Sequence, residues 1–342
     1  MAERMEHMST LCYLKRDGQY LMLHRTVKKN DVNKDKWIGV GGHFELGESP
    51  EECICREVKE ETGYTLTSFR YRGLLTFLSG NGVTEYMSLF TAEEFEGVPI
   101  DCDEGQLEWI PAERLWSLNL WEGDKIFFGV LDEETAFFSL KLVYDGKSRL
   151  TEAALDGRPL ELFDVLDENG KPTGIVRERG VAHLDGSLHM TAHVWVVRES
   201  KEGGYDVLLQ KRSRDKDSYP GCYDVSAAGH VRAPEGCLET AVRELSEELG
   251  ISAAPAELQY VGERRCKISE TFHGRPFLDY ELSRVYVYAG QADISTLKLQ
   301  DEEVEAVCWM ALAQCERLVR ENTKPHCIWP EELAMLRSFL GI

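Results

Sequence analysis

Nine residues recur twice along this chain at one spacing. From Gly42 the pattern reads G-x5-E-x7-R-E-U-x-E-E-x-G-U, with U a bulky apolar residue: Gly42, Glu48, Arg56, Glu57, Val58, Glu60, Glu61, Gly63 and Tyr64. It returns 187 residues later as Gly229, Glu235, Arg243, Glu244, Leu245, Glu247, Glu248, Gly250 and Ile251. Ser49 as N-cap, Pro50 in the first turn, Glu52 three residues after the cap and Gly63 as stop predict a helix between them. On that helix Glu57, Glu60 and Glu61 stand at i, i+3 and i+4 and share a face.

Like charges so placed repel, and the spacing suggests no base in the i+4 register to relieve them; Arg56 lies one position round, able to clamp Glu48 or Glu57. Such a cluster suits a hard divalent cation, which takes oxygen ligands from carboxylates, carbonyls and water. The preceding glycines let backbone approach the ion and add a carbonyl. Isolated Glu-rich helices are mostly solvated faces, but the fixed glycine, Glu48 and Arg56, repeated, argue for chemistry.

Both stretches resemble the Nudix box of the Nudix hydrolases. The resemblance implies a pyrophosphohydrolase using Mg2+ or Mn2+ on a nucleotide or other small diphosphate substrate. It implies an α/β (α+β) class protein: two α/β/α sandwich domains, 1–156 and 157–342, each a mixed curved sheet between helices. Metal ligands are expected from Gly41, Glu57, Glu60 and Glu61 in the first copy and from Ala228, Glu244, Glu247 and Glu248 in the second. Arg56 and Arg243, with Glu57, Glu60, Glu244 and Glu247, are the expected catalytic groups.

Residues 8–155 are similar to the MutT-type 8-oxo-dGTP diphosphatases, through WIGVGGHFE-x-GESP and LWEGDKIFF. That likeness maps an outer carboxylate onto Glu104 and a purine-side W-x-x-D turn onto Trp121 and Asp124. Trp121 could equally be packing, and Asp124 a helix cap. The second half resembles the branch that contains isopentenyl-diphosphate isomerase, through D-x-x-D-E-N-G, K-R-S-x-x-K and Y-P-G-x-Y-D-x-S before Gly229-His230. Isomerases of that type hold a metal with histidines and carboxylates that map onto His183, His189, His230, Asp279 and Glu281. Their catalytic cysteine maps onto Ala228, whose methyl group supplies no acid or base. A hydrolase in an isomerase-like frame is therefore expected; the alternatives are an isomerase or a non-catalytic ligand-sensing module. Glu302 or Glu303 is the expected outer carboxylate.

The elements that position these groups follow from pattern. Thr10–Leu14 and Gln19–Arg25 read as strands around Asp17-Gly18, with a polar loop at 27–36 and a short strand at 37–40. Strands at 69–78 and 84–91 and a short helix at 112–116 follow, then a hairpin over 137–154. The second half reads as a hairpin around 168–170, strands at 189–197 and 205–212, the box helix at 238–249, strands at 259–271 and 280–288, and a closing helix at 331–340.

Composition limits the partners. The 342 residues carry a formal net charge of −21, so a phosphate-backbone polymer is a poor partner unless metal brings it in. Ten cysteines without a C-x-x-C read as reduced thiols, and no apolar run reads as a leader or membrane span. A cytoplasmic protein with no membrane partner is expected.

Overall fold

The computed structural model describes residues 5–27, 31–132, 136–216, 218–272, 275–290 and 292–342. The start of the amino-terminal stretch and part of the loop at 27–36 lie outside them. Backbone contacts divide the chain into two units, Met1–Leu162 with Ile175–Val181, and Phe163–Gly174 with Ala182–Ile342.

In the first unit the strands are β1 (Met5–Arg16), β2 (Gln19–Arg25), β3 (Trp37–Ile38), β4 (Tyr64–Leu78), β5 (Val83–Gly97), β6 (Gly105–Pro111), β7 (Phe138–Tyr144), β8 (Leu150–Leu155) and β9 (Arg158–Pro159). They form one mixed sheet in the order β3-β2-β1-β5-β4-β7-β8-β9, with β6 on β2. Its helices are α1 (Pro50–Thr62) and α2 (Glu122–Asp132), and the short helix expected near 112 is a 3-10 segment, Ala112–Ser117. Strands β10 (Leu162–Leu166) and β11 (Pro172–Glu178) and helix α3 (Arg179–Asp185) follow.

The second unit carries β12 (His189–Glu199), β13 (Tyr205–Arg212), β14 (Tyr223–Asp224), β15 (Ala227–His230), β16 (Leu258–Phe272), β17 (Arg275–Tyr288) and β18 (Val304–Ala311). Their order is β14-β13-β12-β17-β16, with β15 on β12 and β18 on β13. Helices α4 (Cys237–Leu249), α5 (Leu312–Glu321) and α6 (Pro330–Leu340) flank it. The strand wiring repeats: a parallel pair, β1 with β5 and β12 with β17, is extended by an antiparallel pair, β4 with β5 and β16 with β17.

Helix α1 starts and stops as its sequence dictates. Ser49 accepts the Glu52 N–H, Glu52 reaches back to the Ser49 N–H, and Gly63 closes the helix with φ of 76°. Ile54 and Val58 pack on Cys12, Leu14 and Phe90, on one face of the sheet. Ala241, Leu245 and Leu249 of α4 do the same on Ala192, Val194 and Leu208. Alternation along β1 sends Tyr13 to the other face, against Phe127 and Phe128 of α2. Each unit is thus a sheet between helices. Strands β4 and β5 run beyond 69–78 and 84–91 because they keep pairing, through bulges, from Tyr64↔Gly97 to Leu78↔Thr84. No helix is long and apolar enough to cross a membrane among the described residues.

Candidate active sites

The box glycine and the first box carboxylate fit each other. A Cβ on Gly42 would lie 2.5 Å from the Glu57 carboxyl carbon, and one on Gly229 would lie 2.0 Å from Glu244 Oε1. Glycine is therefore required for the glutamate to fold back over the loop. The preceding residue binds the third carboxylate: the Gly41 N–H donates to Glu61 Oε2 at 2.8 Å, and the Ala228 N–H to Glu248 Oε2 at 3.1 Å.

Arg56 organises the rest. Its Nε donates to Glu48 Oε1 at 2.7 Å, and its Nη1 to Glu57 Oε1 at 2.7 Å and Glu60 Oε2 at 3.2 Å. Arg243 repeats this toward Glu235, Glu244 and Glu247 at 3.2, 2.8 and 2.9 Å. The expectation that no base relieves the cluster is corrected, since Arg56 stands at i, i+4 from Glu60. The guanidinium holds Glu48 down at about 2. Glu60 and Glu247 lean outward, their side chains 61% and 46% exposed, whereas Glu61 and Glu248 are buried. Burial, then Glu244, pushes Glu248 well above the usual carboxylate range; burial also raises Glu244, against the pull of Arg243.

In the first unit these groups open onto a cavity of about 530 Å3. Gly41, Arg56, Glu57, Glu61 and Glu104 line it, as do Asn33, Trp121 and Asp124. Glu60 is not on its wall. Glu104 is paired with Arg25, which also binds Asp31 at 2.8 Å. Trp121 is 8% exposed and donates from Nε1 to Asn33 Oδ1 at 2.8 Å, with Phe77 and Tyr144 against it edge to face. Burial pushes Asp124 up to about 7 against the pull of Lys36. Asn33 escaped the sequence reading, because a lone Asn in a polar loop carries no pattern.

The second unit gathers more. His183, His189 and His230 have ring nitrogens within 4.8 Å of one another, and His189, Asp279 and Glu281 form a second such group. His183 Nε2 and His189 Nε2 each lie 3.7 Å from Asp279 Oδ1, and His230 Nε2 lies 3.7 Å from Glu281 Oε1. That is longer than a hydrogen bond and close to the roughly 3.5 Å between two ligands of one tetrahedral ion with bonds of about 2.1 Å. Glu303, immediately before β18 as Glu104 is before β6, is paired with Lys216 and helps raise Glu248.

A repeat missed in the sequence closes each site. Trp329-x-x-Glu332 at the start of α6 mirrors Trp121-x-x-Asp124 at the start of α2. Glu332 is fully buried, 2.9 Å from His193 Nδ1 and from Arg264 Nε, and accepts Trp195 Nε1 at 3.0 Å. Burial alone would raise its carboxyl; His193 and Arg264 outweigh this and bring it to about 2.

The NUDIX domain matches residues 5–129 and 187–328. Nudix hydrolase 3 of Arabidopsis thaliana is 38% identical over 151 residues, 43% of this chain and 19% of that protein. An uncharacterized Nudix hydrolase of Clostridium acetobutylicum is 36% identical over 159 residues, 46% of this chain and 74% of that one. An oxidized purine nucleoside triphosphate hydrolase of Danio rerio is 28% identical over 149 residues, 43% of this chain and 92% of that one. The MutT protein of Bacillus halodurans is 26% identical with a TM-score of 0.40, over 45% of this chain and 99% of that one. With a NUDIX domain matched in each half and an intact box in each, the chain belongs to the NUDIX family and is a Nudix hydrolase with two Nudix domains.

Proposed function

We propose that the first unit hydrolyses an oxidised purine nucleoside triphosphate such as 8-oxo-dGTP to the monophosphate and pyrophosphate. The second unit cleaves a different diphosphate substrate. The observation that carries the first assignment is the single cavity joining the box carboxylates to Asn33, Trp121 and Asp124. Trp121 offers an aromatic wall beside the base, Asn33 an amide, and Asp124 a carboxyl able to donate near neutral pH. The name of the Danio rerio relative is in keeping with this substrate.

The donor set fits a hard divalent cation, Mg2+ or Mn2+: carboxylates, backbone carbonyl, and a glycine cradle that a methyl group would fill. Glu57 and Glu61, with the Gly41 carbonyl, would hold it; Glu244, Glu248 and the Ala228 carbonyl are their counterparts. Such an ion, when bound, neutralises phosphate oxygens and acidifies a water. Arg56 keeps Glu57 and Glu48 in place, Glu60 completes the outer rim of the cluster, and Glu104, held by Arg25, is the outer carboxylate able to accept a proton. His183, His189, His230, Asp279 and Glu281 form a mixed nitrogen and oxygen set that favours a transition ion such as Mn2+ over Mg2+.

Incubation of the full chain with 8-oxo-dGTP and Mg2+ tests the first assignment. Monophosphate and pyrophosphate are expected in equal amounts, at a rate well above that for dGTP. Release of single phosphates, or no preference for the oxidised base, rejects it. The isomerase alternative predicts dimethylallyl diphosphate from isopentenyl diphosphate, which Ala228 argues against.

A further inference from the structure

The two units can be aligned rung by rung. Ser9 bridges His43 and Thr191 pairs His230, and each histidine directly follows its box glycine. Two residues on, Leu11 matches His193. On the neighbouring strand, Met87 opposite Ser9 matches Ser283 opposite Thr191. One strand further, Leu75 opposite Met87 matches Arg264 opposite Ser283. Leu11, Leu75 and Met87 all line the first unit's cavity. The face that gives one unit an apolar floor therefore presents an imidazole, a guanidinium and a hydroxyl in the other.

The facing acid has changed role accordingly. Asp124 lies among weak partners and tends to protonation, whereas Glu332, from the matching W-x-x-E turn, is an anion committed to His193 and Arg264. His193 Nδ1 faces Glu332, and its side chain is 12% exposed. Arg264 Nη1 and the hydroxyls of Thr191 and Ser283 are buried with no hydrogen-bond partner among those residues. Arg264 Nη1 and these two hydroxyls leave this patch a surplus of hydrogen-bond donors. Glu281, four residues before Val285 on the adjoining strand, is the other acid that acts on His193.

We infer that His193, held by Glu332 and backed by Arg264, determines the specificity of the second unit, selecting a diphosphate whose distal group carries an oxyanion. This rests on the second unit being a diphosphate hydrolase. A prenyl chain would strip water from these donors and return nothing, and the neutral acceptors of a base would make weaker bonds than an oxyanion, which forms charge-assisted hydrogen bonds with them.

The test is calorimetric, with the full-length Glu61→Gln protein in Mg2+, counting as second-unit binding only heat that Glu248→Gln removes. Three probes share the diphosphate: inorganic pyrophosphate, phosphoribosyl pyrophosphate with a distal phosphate, and isopentenyl diphosphate with an apolar chain. Phosphoribosyl pyrophosphate is expected to bind roughly tenfold or more tighter than isopentenyl diphosphate, the scale of one charge-assisted hydrogen bond. His193→Leu, the first unit's residue, is expected to erase that preference while pyrophosphate binds as before. Should His193→Leu fail to fold, as judged by lost pyrophosphate binding, His193→Gln serves, since its amide keeps a donor without charge and should retain only part of the preference. Equal binding of the two esters, or a preference that survives both substitutions, overturns the inference. If none of the probes gives heat sensitive to Glu248→Gln, the diphosphate reading of the second unit itself falls.

Discussion

The backbone N–H of Gly41 donates to Glu61 Oε2 at 2.8 Å, and Ala228 repeats the contact with Glu248 at 3.1 Å. This bond aims the last box carboxylate at the turn whose carbonyl is proposed to bind the metal with it. A Gln side chain keeps the shape but loses a metal-binding charge. Glu61→Gln is therefore expected to lower turnover of the first unit's substrate by about a hundredfold or more, leaving the second unit's substrate unaffected. Glu248→Gln should do the reverse. Steady-state rates of both variants on both substrates check this; a variant that leaves every rate intact marks its unit as non-catalytic.

Gly42 and Gly229 offer a steric test of the same site. The Cβ of alanine would enter the space of the Glu57 or Glu244 carboxylate, at 2.5 and 2.0 Å. The glutamate must swing away, taking one proposed metal ligand with it. Gly42→Ala is expected to weaken Mg2+ dependence of the first activity by about ten- to a hundredfold, with little change in melting temperature, because the core under α1 is untouched. A fall in stability with unchanged Mg2+ titration would place Gly42 in the fold rather than the site.

What the sequence made legible was whatever its spacing encodes locally. The box helices, their glycine stops and the inward turn of Glu57 and Glu61 follow from residues within one segment. The i, i+4 tie of Arg56 to Glu60 was legible too but was passed over in favour of Glu48 and Glu57. The pairing of Glu104 with Arg25 and of Glu332 with His193 and Arg264 joins residues 79, 139 and 68 apart. Only strand register brings such residues together, and register is set by the whole sheet. The gathering of His183, His189, His230, Asp279 and Glu281 was suggested by family likeness, but their mutual distances required β12 and β17 to be parallel.

Asp124 gives the first unit a pH signature. Its carboxyl, ordinarily near 3.8, is raised by burial to about 7. The folded protein therefore binds more protons than the unfolded chain between those values, and stability contributed at low pH is lost as pH rises through 7. Binding that needs the protonated carboxyl should decline over the same range. Asp124→Asn is expected to flatten the alkaline fall in substrate affinity between pH 6 and 8.5 and to raise stability at pH 8. Profiles of kcat/KM and thermal melts read both; an unaltered alkaline limb in the variant removes Asp124 from base recognition.

Glu332 predicts the opposite pH dependence in the second unit. Its carboxyl is lowered from 4.5 to about 2, burial being outweighed by His193 and Arg264. Stability from this group is fully present above the unfolded value and is lost as pH falls from about 4.5 toward 2, worth about 3 kcal/mol at most. The network ties α6 to β12 and β16, so acid should loosen that helix first. Glu332→Gln leaves Arg264 and His193 buried without their counter-charge, which costs about 3–5 kcal/mol. Hydrogen-exchange protection along β12 and α6, corrected for the intrinsic rate at each pH, is expected to fall sharply between pH 6 and 3 in the native protein. In Glu332→Gln protection should already be low at pH 6 and change little with acid. Full protection in that variant at pH 6 would mean that apolar packing of Leu333 and Leu336, not the buried charges, anchors α6.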